Sequence, residues 1–157
     1  METPKREREV DPTALNKQQL FIAKCIARGM VDRDIVIEYS KKFTRIAERK
    51  LRTITSEIRT IIEHRTRLGI AIWYAKTHAT EISLPKVVLS PQQQVLLELL
   101  IQDMTDPQIA EKVGTQAGTV ATHWDELRKK LKDSITSNTR EALAAWYIWY
   151  KRSLDIE

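Results

Sequence analysis

Apolar residues fall at helical spacing along almost the whole chain after Leu15, and the same pattern occurs twice. Phe21, Ile22, Cys25 and Ile26 are followed 74 residues later by Val95, Leu96, Leu99 and Leu100. Ala47, Leu51, Ile54 and Ile58 are matched by Val120, Trp124, Leu127 and Leu131 at an offset of 73, as Trp73-Tyr74 is by Trp146-Tyr147. The offset changes between Ser40 and Ala47, so the first copy has one extra residue in a turn, where an insertion costs least. A chain of 157 residues that repeats itself in this way is expected to be all-α. It should form two tandem four-helix units of roughly 60–65 residues each, a size at which neither core is large.

Capping signals divide each unit. Asn16 opens the first helix with Gln19 as its capping-box partner, and Gly29 ends it. Asp32 is expected to cap a short helix carrying Ile35, Val36 and Tyr39. Thr44 is expected to cap a longer one with the stripe Ala47, Leu51, Ile54, Ile58 and Ile61. A basic turn, His64–Arg67, precedes a fourth helix with Leu68, Ile70, Ile72, Trp73 and Tyr74. In the second half, Ser90-Pro91-Gln92-Gln93 combines a cap, a first-turn proline and a capping-box glutamine. Asp106-Pro107 starts the short helix, and Asn138 is expected to cap the last one with Glu141. The expected organisation is a mobile arm over 1–14, a first unit over 15–78, a linker over 79–88 and a second unit over 89–157.

Helix, short helix, tight turn and long helix is helix-turn-helix geometry. Leu89-Ser90-Pro91-Gln92-Gln93-Gln94-Val95-Leu96 resembles the opening of LuxR-type (GerE-like) helix-turn-helix domains. Asp106 to Gly114 is similar to their second helix and turn. Gly118-Thr119-Val120-Ala121-Thr122-His123-Trp124 through Leu131 looks like their recognition helix. Asn138-Thr139-Arg140-Glu141-Ala142-Leu143 resembles the start of their dimerising fourth helix. In the first unit, Leu15 to Gln19 and Ala27 to Ile35 carry the same resemblance, which weakens after Tyr39. Sigma-factor region 4 shares the arrangement, but the fourth helix in each copy favours the LuxR type. The resemblance implies a bacterial transcriptional regulator that binds double-stranded DNA in the cytoplasm, at the nucleoid. It supplies no inducer or phosphorylation site, since a second helix-turn-helix stands where a sensing domain usually does. Such a stripped-down form would suit a mobile genetic element.

Charge separates the two copies. The chain has 26 Lys and Arg against 21 Asp and Glu, a net of +5. Residues 1–78 hold 17 basic and 10 acidic residues, net +7, and residues 79–157 hold 9 and 11, net −2. Around the first reading helix lie Lys41, Lys42, Arg45, Glu48, Arg49, Lys50 and Arg52, six of the seven basic. Arg can grip guanine through two hydrogen bonds, and Lys neutralises phosphate. The alternative for these residues is an ordinary solvated helix face. The second copy carries Gln116, Ala117, Gly118, Thr119, Ala121, Thr122 and His123 at the aligned positions. Gln116, Thr119, Thr122 and His123 can still bond phosphates or bases. That nearly uncharged surface could equally dock a protein, making the chain an antiactivator or a co-regulator working with another regulator or RNA polymerase. The expected division is DNA contact mainly through the first unit, with the second assisting DNA binding or dimerisation.

The last helix has Leu143, Trp146, Tyr147 and Tyr150 on one side and Ala142, Ala145, Ile148 and Trp149 on another. A terminal helix with a second apolar face needs a partner. The expected partner is a second copy, giving a homodimer through Trp146, Trp149 and Tyr150, the role this helix has in LuxR-type domains. The alternative is the fourth helix of the first unit, giving a pseudo-symmetric pair within one chain.

Other classes find little support. The single cysteine, Cys25, sits on an apolar stripe and allows no internal disulfide, which fits a reducing compartment. Residues 1–13 lack a signal-peptide core, and no run approaches a membrane span. His64, His78 and His123 are isolated from metal-ligand partners, and four glycines form no phosphate-binding loop. No cofactor, no membrane contact and no enzymatic activity are expected.

Overall fold

The computed structural model describes residues 14–78, 87–132 and 139–156, with side chains through Leu154. The described residues form eight helices and no strand: α1 (Lys17–Ala27), α2 (Asp32–Lys42), α3 (Glu48–Ile62), α4 (Arg67–Thr77), α5 (Pro91–Leu100), α6 (Asp106–Val113), α7 (Ala117–Lys130) and α8 (Arg140–Ile156). Capping boxes start three of them. Asn16 and Gln19 at α1, Ser90 and Gln93 at α5, and Thr105 and Gln108 at α6 each exchange side-chain and backbone bonds. These bonds satisfy N–H groups that a helix start otherwise leaves without partners.

The buried apolar side chains form one connected core running from Leu15 to Ile148. Its centre is the pair α4 and α8. Every residue of α4 from Leu68 to Ala75 is buried, and so is every residue of α8 from Ala142 to Ile148. A helix apolar on all sides has to be enclosed, and these two enclose each other. α4 also packs on α1 and α3, and α8 on α1 and α5.

The two helices run in the same direction. At their starts, Arg67 Nε lies 3.7 Å from Glu141 Oε1. At the far end, the Arg152 guanidinium donates to the carbonyls of Ala75 and Lys76, both at 2.9 Å. Trp149 Nε1 donates to the carbonyl of His78 at 2.8 Å. These carbonyls close α4 and have no partner within that helix. The Thr66 hydroxyl, which caps α4 by accepting from Gly69 N–H, donates to Asp103 Oδ2 at 2.6 Å.

A set of polar contacts occurs in both halves. Arg67 donates to Asp32 Oδ1 and to the Met30 carbonyl, both at 2.7 Å. Arg140, 73 positions later, donates to the Met104 carbonyl and has Nε 3.5 Å from Asp106 Oδ1. Thr66 and Thr139 each accept an N–H from three residues ahead. Gly29 and Asp103, 74 positions apart, end α1 and α5 at φ 80° and 64°. Trp73 and Trp146 are both buried with indole N–H groups that find no acceptor.

Several boundaries differ from the sequence expectation. Thr44 does not cap the third helix. α2 runs on to Lys42, residues 43–47 form the connection, and α3 starts after Ala47, which has no side-chain cap. Ala47 is therefore exposed, and the buried stripe is Leu51, Ile54, Thr55, Ile58 and Ile62, with Ile61 36% exposed. Asp32 is the first residue of α2 rather than its cap, and its carboxylate accepts from Arg67. Val95 is half exposed, and Leu97 joins the α5 face instead. Asn138 lies outside the described residues; Thr139 accepts from Ala142 N–H, and Glu141 faces Arg67.

Cys25 is buried in the core, as its place on the stripe suggested. Burial pushes its thiol from 9.0 up to about 11, against the lowering effect of Arg28. The folded state thus favours the protonated thiol. That contribution is complete below pH 9 and lost as pH rises toward 11. A thiol reagent at neutral pH should leave the native chain unlabelled and label it fully after unfolding; fast native labelling would contradict the buried position. Arg67→Ala and Arg140→Ala should each lower stability by about 2 kcal/mol in urea titrations, through loss of the guanidinium's hydrogen bonds and its ion pair with the aspartate. An unchanged midpoint would show that the clamp is ornamental.

Candidate nucleic-acid interface

Two long helices, α3 and α7, present polar faces outward over a buried apolar stripe. On α3 the stripe from Leu51 to Ile62 faces the core, which directs Arg49, Lys50 and Arg52 to solvent. All seven charged residues singled out in the first half are exposed. Their backbone setting differs from the expected one. Lys41 and Lys42 belong to the last turn of α2, Arg45 lies in the connection, and Glu48, Arg49, Lys50 and Arg52 lie on α3. Lys41 reaches Glu38 at 3.4 Å, and Lys42 lies over the Phe21 ring, 5.2 Å from its centroid. The structure therefore brings these residues together around the start of α3.

The α6–α7 connection is tighter. Gly114, at φ 78°, turns the chain, and Thr115 N–H donates to the Ala110 carbonyl at 2.8 Å. A left-handed residue here suits glycine, which has no Cβ to clash. Only residues 114–116 separate these helices, against 43–47 between α2 and α3. Measured at the offset of 73, α3 begins four residues later than α7. The first turn of α7 thus corresponds to non-helical chain before α3.

On α7, Val120, Trp124 and Leu127 are buried, while Gln116, Thr119 and Thr122 are exposed. The exposed Thr122 hydroxyl donates to the Gly118 carbonyl at 3.0 Å and keeps its capacity to accept. His123 is half-buried, with Nδ1 3.6 Å from Glu126 Oε2. Asp125 pairs with Arg128 at 2.8 Å. No atom would meet a side chain added at Gly118. This face is open, small and nearly uncharged. Neither α3 nor α7 has a side-chain cap, so both helix starts keep exposed N–H groups of the kind that phosphates accept.

The orientation of α7 depends on a residue whose positioning role was not apparent from the sequence. Asp106 Oδ1 accepts from Trp124 Nε1 at 2.8 Å and faces Arg140, so one carboxylate joins α6, α7 and the start of α8. In the first half, Asp32 receives Arg67 alone, because Leu51 stands where Trp124 would be. The sequence signal was an acidic residue in the first helical turn, which also reads as a plain helix-dipole partner.

The dimerisation candidates lie inside the chain's own core region. Trp146 is 1% exposed, and Trp149 and Tyr150 are half-buried. Trp149 donates to His78, and Tyr150 Oη donates to the Val87 carbonyl at 2.9 Å. Tyr147 donates to Glu98, which Lys151 also reaches at 2.7 Å. Desolvation opposes ionisation of Glu98, but Lys151 and Tyr147 outweigh it and lower its pKa. Burial and the nearby Glu98 raise that of Tyr147.

Among the described residues, no group of three His, Cys, Asp or Glu side chains could hold a metal ion. No described helix is long and apolar enough to cross a membrane. His64 packs on Gly69, and its burial lowers its pKa.

No curated protein sequence and no solved structure matches the chain. Residues 87–142 match a family model described as GerE, bacterial regulatory proteins of the luxR family. The match takes in α5, α6, α7 and the first turn of α8. That family comprises DNA-binding regulators rather than enzymes. Residues 87–142 form a GerE/LuxR-type helix-turn-helix domain, a class that makes DNA a partner of this chain.

Proposed function

We propose that the chain is a DNA-binding transcriptional regulator built by tandem duplication of one helix-turn-helix unit, with most DNA affinity supplied by the first copy. The observation that carries DNA binding is the GerE/LuxR-type domain over residues 87–142. The duplication is supported by the recurring contacts: Arg67 and Arg140 on their aspartates, the capping threonines, and the left-handed residues Gly29 and Asp103. The division between 15–78 and 89–157 belongs to this reading, with 79–88 joining them.

The larger share for the first copy rests on charge. Lys41, Lys42, Arg45, Arg49, Lys50 and Arg52 are all exposed around one helix start, whereas α7 offers Gln116, Thr119, Thr122 and the half-buried His123. Phosphate contacts dominate affinity and set its salt dependence. The first unit would therefore hold the duplex, and the second would add polar contacts in register. The non-helical chain before α3 carries Arg45 ahead of the helix rather than on it, so we assign Arg45 to phosphate. Arg49 and Arg52, on the outer face of α3, are assigned to base edges.

Replacing Arg45, Arg49 and Arg52 together with Ala should abolish detectable retardation of operator DNA at moderate salt. Each lost phosphate contact should also reduce the slope of log affinity against log salt by about 0.9. Circular dichroism should stay helical, because all three side chains are exposed. Unchanged affinity would remove α3 from the interface.

A second reading, docking of another regulator or RNA polymerase on α7, is favoured by the uncharged surface around Gly118 and Ala121. Ala121→Glu should then release a protein partner and leave DNA affinity intact. Loss of DNA binding instead would return α7 to the DNA interface.

A further inference from the structure

We infer that this chain reads DNA as a single molecule that contains its own dimer, and that its target is a duplex site with two unlike halves. The inference rests on the DNA-binding reading above. It adds the stoichiometry and the symmetry of the partner.

The argument starts at the α4–α8 pair. In an isologous dimer the same patch meets itself, so every contact is made twice. The α4–α8 pair holds equivalent residues at its centre, with Trp73 and Trp146 both buried 73 positions apart. At its far end the equivalence stops. Arg152 and Trp149 bond the carbonyls of Ala75, Lys76 and His78, which are free because α4 ends at Thr77. The equivalent carbonyls of α8 belong to Ile148, Trp149 and Lys151. They lie within a helix that continues to Ile156, where the helix ladder occupies them. A second α8 therefore offers Arg152 no equivalent free carbonyl. Nor could a second α4 replace α8, since the residue aligned with Arg152 is Ala79.

The starts of the helices make the same choice. Glu141 meets Arg67, and Asp103 receives the Thr66 hydroxyl. The residues aligned with Glu141 and Asp103 are Leu68 and Gly29, which carry no acid. Each end of the interface is thus complementary only between a first unit and a second unit. Covalent connection through residues 79–86 places the correct partner at high effective concentration. An intermolecular pairing of like helices would forfeit these contacts and compete against an attached partner.

Two reading helices held by an internal pair imply two half-sites on one duplex. Half-sites of paired helix-turn-helix units lie about 10 base pairs apart. Their content differs, because position by position Arg49 and Arg52 of α3 stand against Thr122 and Asp125 of the second copy. Arg favours guanine edges. Threonine beside an acidic residue does not, so one half should be guanine-rich and the other of different sequence. A palindrome would satisfy only one of the two helices.

The test uses the full chain in three arms. Light scattering over a wide concentration range should give 18.2 kDa throughout; a mass that doubles would overturn the internal pair. Selection from random duplex DNA should return sites with two unlike halves, each bound by one chain in a stoichiometric titration. A palindrome bound by two chains would overturn the inference while upholding DNA binding. Recovery of no preferred sequence would refute the DNA-binding reading, and the mass would still decide the pairing. In the third arm, Arg152→Ala with Trp149→Phe should weaken binding to the two-half site at least tenfold. Affinity for a duplex carrying the guanine-rich half alone should stay the same. Equal losses on both duplexes would show that these residues do not couple the units, and helix content would exclude simple unfolding.

Discussion

The burial of two all-apolar helices against each other governs this structure. Neither α4 nor α8 has a polar face broad enough to meet water along its middle. Exposing either would cost roughly 2 kcal/mol for each large side chain left uncovered. Once the two pair, the positions of α1, α3 and α5 follow, since α1 packs on both members, α3 on α4 and α5 on α8. The outward faces of α3 and α7 are then set by what their inner faces must cover. Surface chemistry is thus carried on a scaffold that the core has already arranged.

The polar clamps translate that packing into orientation. Arg67 and Arg140 each stand at a helix start and reach back to an aspartate at the start of an earlier helix. In the second half the same carboxylate also holds Trp124, so a bond to the middle of α7 ties it to α6 and α8. The first half lacks this bond, and there the connection before α3 is longer and carries no glycine. The half with the stronger charges thus has the less constrained approach to its long outward-facing helix. Phosphate contacts made by long, flexible side chains tolerate such freedom better than base contacts by short ones.

Much of the architecture was legible in the sequence because helix formation is local. Asn16 with Gln19 and Ser90 with Gln93 marked helix starts that the structure places at those residues. The start of α3 was misread because Thr44 is a good cap by type, and nothing nearby in sequence shows that α2 extends to Lys42. The Asp106 junction was illegible for a related reason: its partners Trp124 and Arg140 are distant in sequence. The exposure of the basic cluster was legible from periodicity, since Leu51, Ile54 and Ile58 fix the inner side of α3. The apolar second face of the last helix points in sequence to a second copy, whereas the structure covers it with α4 of the same chain. The decisive contacts join residues 71 to 77 positions apart and depend on where α4 happens to end.

The Arg152 cap on α4 also bears on how the two halves can change. In a symmetric dimer every substitution at the interface appears twice, and a harmful one is felt twice. Here a change in α8 meets an unaltered α4. Lys24 in one half and Glu98 in the other, 74 positions apart, already carry opposite charges. Each half can therefore drift toward its own surface without the other having to follow.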